Sequence, residues 1–261
     1  MTDAPAPTFP PGTFTPDPRP APPLRRITAT AGLELRVTLR NGEQLLLALV
    51  IPLVALVAGT SITLIDLPEP RIDAVLPGVL VLAVFSSAFT AQAITTGFDR
   101  RYGVLKRLAA AGVGRGQLLA GKCVATLVVL AGQLALLGVA AAILGWRPQG
   151  SPLWALVVVL LGAAACVGLA LLLGGTLRAE AVLALANLIW LVFVAVGGIV
   201  VPLDRAPAAL RTIGELTPPG AMSQALRAAM AGGTPPVTSL LILSAWIVIG
   251  WAATVRWFRW L

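Results

Sequence analysis

Uninterrupted apolar runs, each wide enough to cross a bilayer, alternate along the chain with short charged stretches. Six runs contain no Asp, Glu, Lys or Arg: residues 44–65, 74–98, 123–146, 148–177, 181–203 and 228–255. About 20 apolar residues cross the hydrocarbon as a helix. Backbone polar groups in lipid must be satisfied within the segment, so the runs predict helices. Continuous apolarity, rather than strict alternation, argues against barrel strands. Pro52 and several glycines interrupt the runs, as transmembrane helices tolerate. The expected fold is an all-α polytopic membrane protein with six transmembrane helices.

Two further patterns precede the first run. Leu24, Ile27, Ala31, Leu35 and Leu39 recur at spacings of three or four, which predicts an amphipathic helix over residues 24–43. Such a helix suits the membrane interface before the first span. A simple extension of the first span into water is the alternative. Residues 1–23 are polar and proline-rich, without the apolar core of a signal peptide, and are expected to form a disordered cytoplasmic tail. Residues 24–261 then make up one six-span domain.

Composition agrees with this layout. Of 261 residues, 57% are hydrophobic and 11% charged, with a mean hydropathy of +0.90; soluble domains carry about a quarter charged residues. The 19 basic and 11 acidic residues leave a net charge of +8, and their placement orients the chain. With the amino terminus inside, Arg19, Arg25, Arg26, Arg36, Arg40, Arg100, Arg101, Lys106, Arg107, Arg115, Lys122, Arg178, Arg256 and Arg259 fall on the cytoplasmic side. Arg71, Arg147, Arg205, Arg211 and Arg227 fall outside, where Asp66, Glu69, Asp73, Asp204 and Glu215 balance them. Both termini are therefore expected in the cytoplasm. Seventeen arginines against two lysines, with abundant alanine, suggest a GC-rich bacterial genome and a bacterial plasma (inner) membrane location.

Candidate chemistry is sparse. The chain has no histidine, which excludes a Ser-His-Asp triad and histidine-ligated zinc or haem. Cys123 and Cys166 lie in apolar runs and read as small hydrophobes. Gly116-Gln117-Leu118-Leu119-Ala120-Gly121-Lys122-Cys123 matches phosphate-loop spacing except at its last position. It lacks both the magnesium-binding hydroxyl and a preceding strand, so no ATPase site, catalytic residue, cofactor or metal is expected on this chain.

The spans offer no ionisable relay of the kind ion-coupled pumps use. Energy for uphill movement would come from a partner. Thr60, Ser61, Ser86, Ser87, Thr90, Thr95, Thr96, Thr126 and Ser244 suit interhelical hydrogen bonds. The amides Gln92, Gln133 and Asn187 cost more to bury, which marks them as candidates for a translocation path or subunit interface.

The segment over 98–122 includes Asp99-Arg100-Arg101-Tyr102-Gly103-Val104-Leu105-Lys106-Arg107-Leu108. By composition it is either a lipid-hugging anchor or a docking element. This string resembles the loop between the second and third spans of type-two ABC exporter permeases, the group that includes daunorubicin-type multidrug exporters. Pro202-Leu203-Asp204, Ala206-Pro207, Leu210-Arg211, Pro218-Pro219, Ala225-Leu226-Arg227 and Gly232-Gly233 are similar to that family's external segment before the last span.

The resemblance implies a permease that pairs with a second copy or a related chain and with two ATP-binding cassette ATPase subunits, which hold ATP and magnesium. It further implies that 98–122 is a coupling loop, with Asp99, Arg100, Arg101, Lys106 and Arg107 touching the ATPase. Residues 204–236 would form an external re-entrant segment. The implied cargo is a hydrophobic or amphiphilic drug, lipid or glycolipid; membrane lipids are expected partners and nucleic acid is not. A membrane scaffold subunit is the alternative, ahead of a lipid-modifying enzyme, for which no acidic pair is in place.

Overall fold

The computed structural model of the chain describes residues 10, 21–62, 67–199, 202–203 and 207–259. Apart from Pro10 and residues 21–23, the expected tail lies outside the described residues, as do Asp66, Asp204 and Arg205. Among the described residues every regular element is a helix. In chain order these are α1 (Pro23–Arg40), α2 (Gly42–Ser61), α3 (Arg71–Val84), a π-helical segment (Phe85–Ala91), α4 (Gln92–Arg101), α5 (Val104–Ala110), α6 (Arg115–Ile143), α7 (Pro152–Thr176), α8 (Ala179–Val196), α9 (Ala208–Leu216), α10 (Pro218–Met230) and α11 (Val237–Trp257).

Helix α3, the π segment and α4 form one continuous rod of 31 residues. This rod, α6, α7, α8 and α11 are the five helices long and apolar enough to cross a membrane. Of the first expected run, α2 provides a shorter apolar stretch, Ala48–Ser61. The chain is thus a multi-pass membrane protein with five spanning helices among the described residues.

Helix α7 sits at the centre, packed against α11, α4, α10 and the π segment. Its glycines explain why so many helices approach it. A methyl group on Gly174 would lie 2.6 Å from the Ala93 carbonyl oxygen, one on Gly162 2.4 Å from Met222 Sδ, and one on Gly175 2.2 Å from the Phe258 ring. Lipid gives helices no hydrophobic reason to associate, so close approach through small residues drives their packing. Polar ties reinforce it: Trp251 Nε1 donates to the Ala164 carbonyl at 3.0 Å, and Thr254 Oγ1 to the Gly168 carbonyl at 2.8 Å.

The segment expected over 204–236 resolves into α9 and α10. Thr217 caps α10 by accepting from the Gly220 amide at 3.2 Å, with Pro218 in the first turn where no donor is needed. Most of α10 is buried, and it packs on α7, α3 and α11. Arg227 pins it: its guanidinium donates to the carbonyls of Ala74 at 2.5 Å and Gly198 at 3.0 Å. Glu215 joins α9 to α10, accepting from Arg211 at 2.8 Å and Gln224 at 2.9 Å. Those two donors hold its carboxyl below the usual carboxylate range.

The structure adds detail to two sequence expectations. The segment expected as a coupling loop, 98–122, is largely helical: α4 runs on to Arg101, and α6 starts at Arg115, eight residues before the apolar run. Charged residues extend a helix readily where it emerges from the apolar layer. Lys122 consequently lies inside α6, with its side chain fully buried. The stripe on α1 is only partly an apolar face for lipid. Ala31 is buried, but Leu24 and Leu39 are exposed, because the face packed on α6 is centred on Thr30, Ala31 and Glu34.

Candidate functional site: a buried polar ladder

Polar side chains are paired at three depths between the α3–π–α4 rod and α6. In the middle of the rod, Ser87 Oγ donates to Gln133 Oε1 at 2.7 Å, and Gln133 Nε2 donates to the Ala48 carbonyl of α2 at 2.5 Å. Nearer the chain's charged segment, Thr126 Oγ1 donates to Gln92 Oε1 at 3.0 Å, while Gln92 Nε2 donates to Thr96 Oγ1 at 3.3 Å. At the foot, Lys122 Nζ donates to Asp99 Oδ2 at 2.7 Å and to Glu34 Oε2 of α1 at 2.9 Å.

The rungs follow from spacing. Lys122, Thr126 and Gln133 stand four and seven residues apart on α6, so they share one helical face. On the rod, Gln92 and Asp99 are seven apart, while Ser87 is five residues before Gln92. Five residues would miss the face of an α-helix. The π segment, whose bonds span five residues, brings Ser87 back into line.

Ser87, Thr126, Lys122 and Gln133 are all buried. A narrow cavity of about 40 Å³ runs beside them, lined by Glu34, Ser87, Gln92, Thr95, Lys122 and Thr126 among others. A volume of that size admits about one water molecule.

The corner beyond the foot is set by Gly103, whose φ of +69° is open to glycine and strained for other residues. It turns α4 into the seven-residue α5. Arg100 reaches across to donate to the Gly175 and Leu177 carbonyls at the carboxyl end of α7, groups left without helical partners there. Arg101 pairs with Glu180 on α8, both side chains being exposed. Lys106 and Arg107 project from α5 into the open.

The residues singled out from sequence therefore divide. Gln92 and Gln133 belong to one ladder. Asn187 is exposed on α8 and does not join it. Asp99 faces inward to Lys122, Arg100 and Arg101 tie spans together, and Lys106 and Arg107 are exposed on α5, Arg107 donating to the Tyr102 carbonyl at 3.2 Å. Sequence reasoning missed Lys122, Glu34, Thr126 and Ser87 as members of this site. The clue was the shared seven-residue spacing of Gln92–Asp99 and Thr126–Gln133. The phosphate-loop lookalike lies wholly within α6, whose helical bonds take up its amides from Leu118 onward.

A second, apolar cavity of about 480 Å³ opens between α3, α6, α7 and α10, lined by Leu76, Leu80, Leu134, Trp146, Val159 and Met230 among others.

Comparison with known proteins adds two findings. Residues 27–231 match the family model described as ABC-2 type transporter. No curated protein matches the chain significantly.

Proposed function

Since the chain belongs to the ABC-2 type transporter family, we propose that it is the membrane-spanning permease subunit of an ATP-binding cassette exporter, energised by two separate ATPase subunits. The ladder is the observation that carries this reading. Polar groups in lipid need partners, and here each rung supplies the partner for its opposite. When the rod and α6 separate, the same hydroxyls and amides would meet water or a polar part of the cargo. Interhelical hydrogen bonds in membranes average about 0.6 kcal/mol, so a few rungs can be opened without disrupting the fold.

In this reading the mechanism is alternating access. ATP-driven closure of the ATPases displaces the α4–α5 corner and shifts the balance between two helix packings. ATP and magnesium are held by the partner subunits. The arginine asymmetry of the sequence supports placing α1, the corner and the end of α11 in the cytoplasm, with α9 and α10 outside. The counterpart of the first expected span is α2. The apolar cavity supports a hydrophobic or amphiphilic cargo. Helix α8, with Leu188, Leu191 and Asn187 uncovered, supplies a face for a second permease copy.

Co-expression with a companion ATPase and reconstitution into bacterial lipid vesicles tests the proposal. Physical association and ATP-dependent movement of an amphiphilic cargo are expected. A pair that neither associates nor transports would sink it.

A further inference from the structure

The ion cluster at the foot of the ladder joins three elements that the chain could have packed without charge. Lys122 on α6 is completely enclosed, while Glu34 on α1 and Asp99 on α4 retain 15% and 19% of their side-chain exposure. Stability alone gives poor reason for this arrangement, because apolar residues of matching volume usually replace a buried ion cluster at no loss. Its best-attested use is to fix register or to set a switch.

The surroundings favour the second. Helices α1 and α6 are in tight contact: a methyl group on Gly121 would lie 2.6 Å from Thr30 Cγ2. Gln117 Nε2 donates to Thr30 Oγ1 at 2.9 Å and to the Arg26 carbonyl at 3.2 Å. Asp99, by contrast, sits at the end of α4, shortly before the corner into α5. Above the ion cluster, Glu34, Gln92, Thr95, Lys122 and Thr126 line the cavity beside the ladder. One ammonium group therefore bridges the α1–α6 pair to the corner, at low effective dielectric where such attraction is strong.

We infer that Lys122 is a positioning residue, which latches α1 and the foot of α6 to the α4–α5 corner so that displacement of the corner is delivered to the ladder as one movement. This deepens the exporter reading and rests on it. Glu34 holds Lys122 from the α1 side, so removing its charge weakens the latch while the Lys122–Asp99 pair stays neutral and buried. The corner can then move without carrying α1 and α6.

The test uses the permease reconstituted with its companion ATPase, measuring transport and ATP hydrolysis per folded complex. Glu34→Gln should leave hydrolysis near the wild-type rate and lower cargo moved per ATP about tenfold. Glu34→Asp, which keeps a carboxylate facing Lys122, should retain most of the wild-type ratio. Unchanged transport per ATP in Glu34→Gln would overturn the latch while leaving the exporter reading intact. So would a loss of hydrolysis and transport in equal proportion. A ratio in Glu34→Asp as low as in Glu34→Gln would count against the latch. Absence of ATP-dependent transport by the wild-type pair would overturn both readings.

Discussion

Gln133 is held on both sides, accepting a hydrogen bond from Ser87 and donating one to the Ala48 carbonyl. Replacing it with Leu removes two bonds but adds apolar volume in an apolar layer. Ser87 can then bond within its own helix, as membrane hydroxyls do. Thermal unfolding of Gln133→Leu in detergent should therefore stay within about 1 kcal/mol of wild type, while transport falls roughly tenfold. Equal losses in both would assign Gln133 to packing alone. Glu215 makes a different prediction. Its carboxyl is held below the ordinary value by Arg211 and Gln224, so the folded state favours the ionised form. That contribution is complete above the unfolded carboxylate pKa and is lost as pH falls through the lowered folded value. Resistance of the α9–α10 junction to proteolysis should decline on acidification in wild type, and Glu215→Gln should remove this pH dependence.

At the level of elements, α7 and the π segment bear opposite kinds of constraint. The glycines of α7 are needed where backbones meet, and the structure separates them from glycines that meet nothing. Gly174→Ala drives a methyl against the Ala93 carbonyl and Thr96, which should destabilise by about 1–3 kcal/mol. Gly132→Ala on α6 meets no atom within 4 Å and should stabilise by up to about 1 kcal/mol through helix propensity. Chemical denaturation of the purified permease distinguishes the two. The π segment instead contributes alignment, since it places Ser87 above Gln92 and Asp99 on the rod. The run of alternating small, polar and aromatic residues at 85–91 carries no sign of this in its hydropathy.

For the molecule as a whole, the charged end divides into groups that fasten spans together and groups exposed on α5. Arg100 and Arg101 reach α7 and α8, whereas Lys106 and Arg107 project from α5. Arg100→Ala should reduce stability by about 1–3 kcal/mol, the value of charge-assisted bonds, because it removes the guanidinium from the Leu177 carbonyl and leaves the Gly175 carbonyl to the Arg259 amide. Lys106→Glu with Arg107→Glu should leave stability within about 0.5 kcal/mol and weaken association with the companion ATPase, read by co-purification. Retained association in that double variant would remove α5 from the proposed contact.

The spacing of charges along the chain determined that it is helical and crosses a membrane repeatedly, because long charge-free runs have few other stable forms in lipid. The family was legible too, through Asp99–Leu108 and the proline- and glycine-marked segment before the last helix. Gln92 and Gln133 stood out for the cost of burying an amide. Tertiary structure alone decided which polar groups meet. Lys122 reads in sequence as one more positive charge at a membrane edge, yet it is enclosed between carboxylates from helices 88 and 23 residues away. Asn187 carries the same sequence signal as Gln133 and lies on an uncovered face. Hydropathy records how costly a group is to bury, whereas its partner depends on helix rotation and packing, which arise only when separated segments come together.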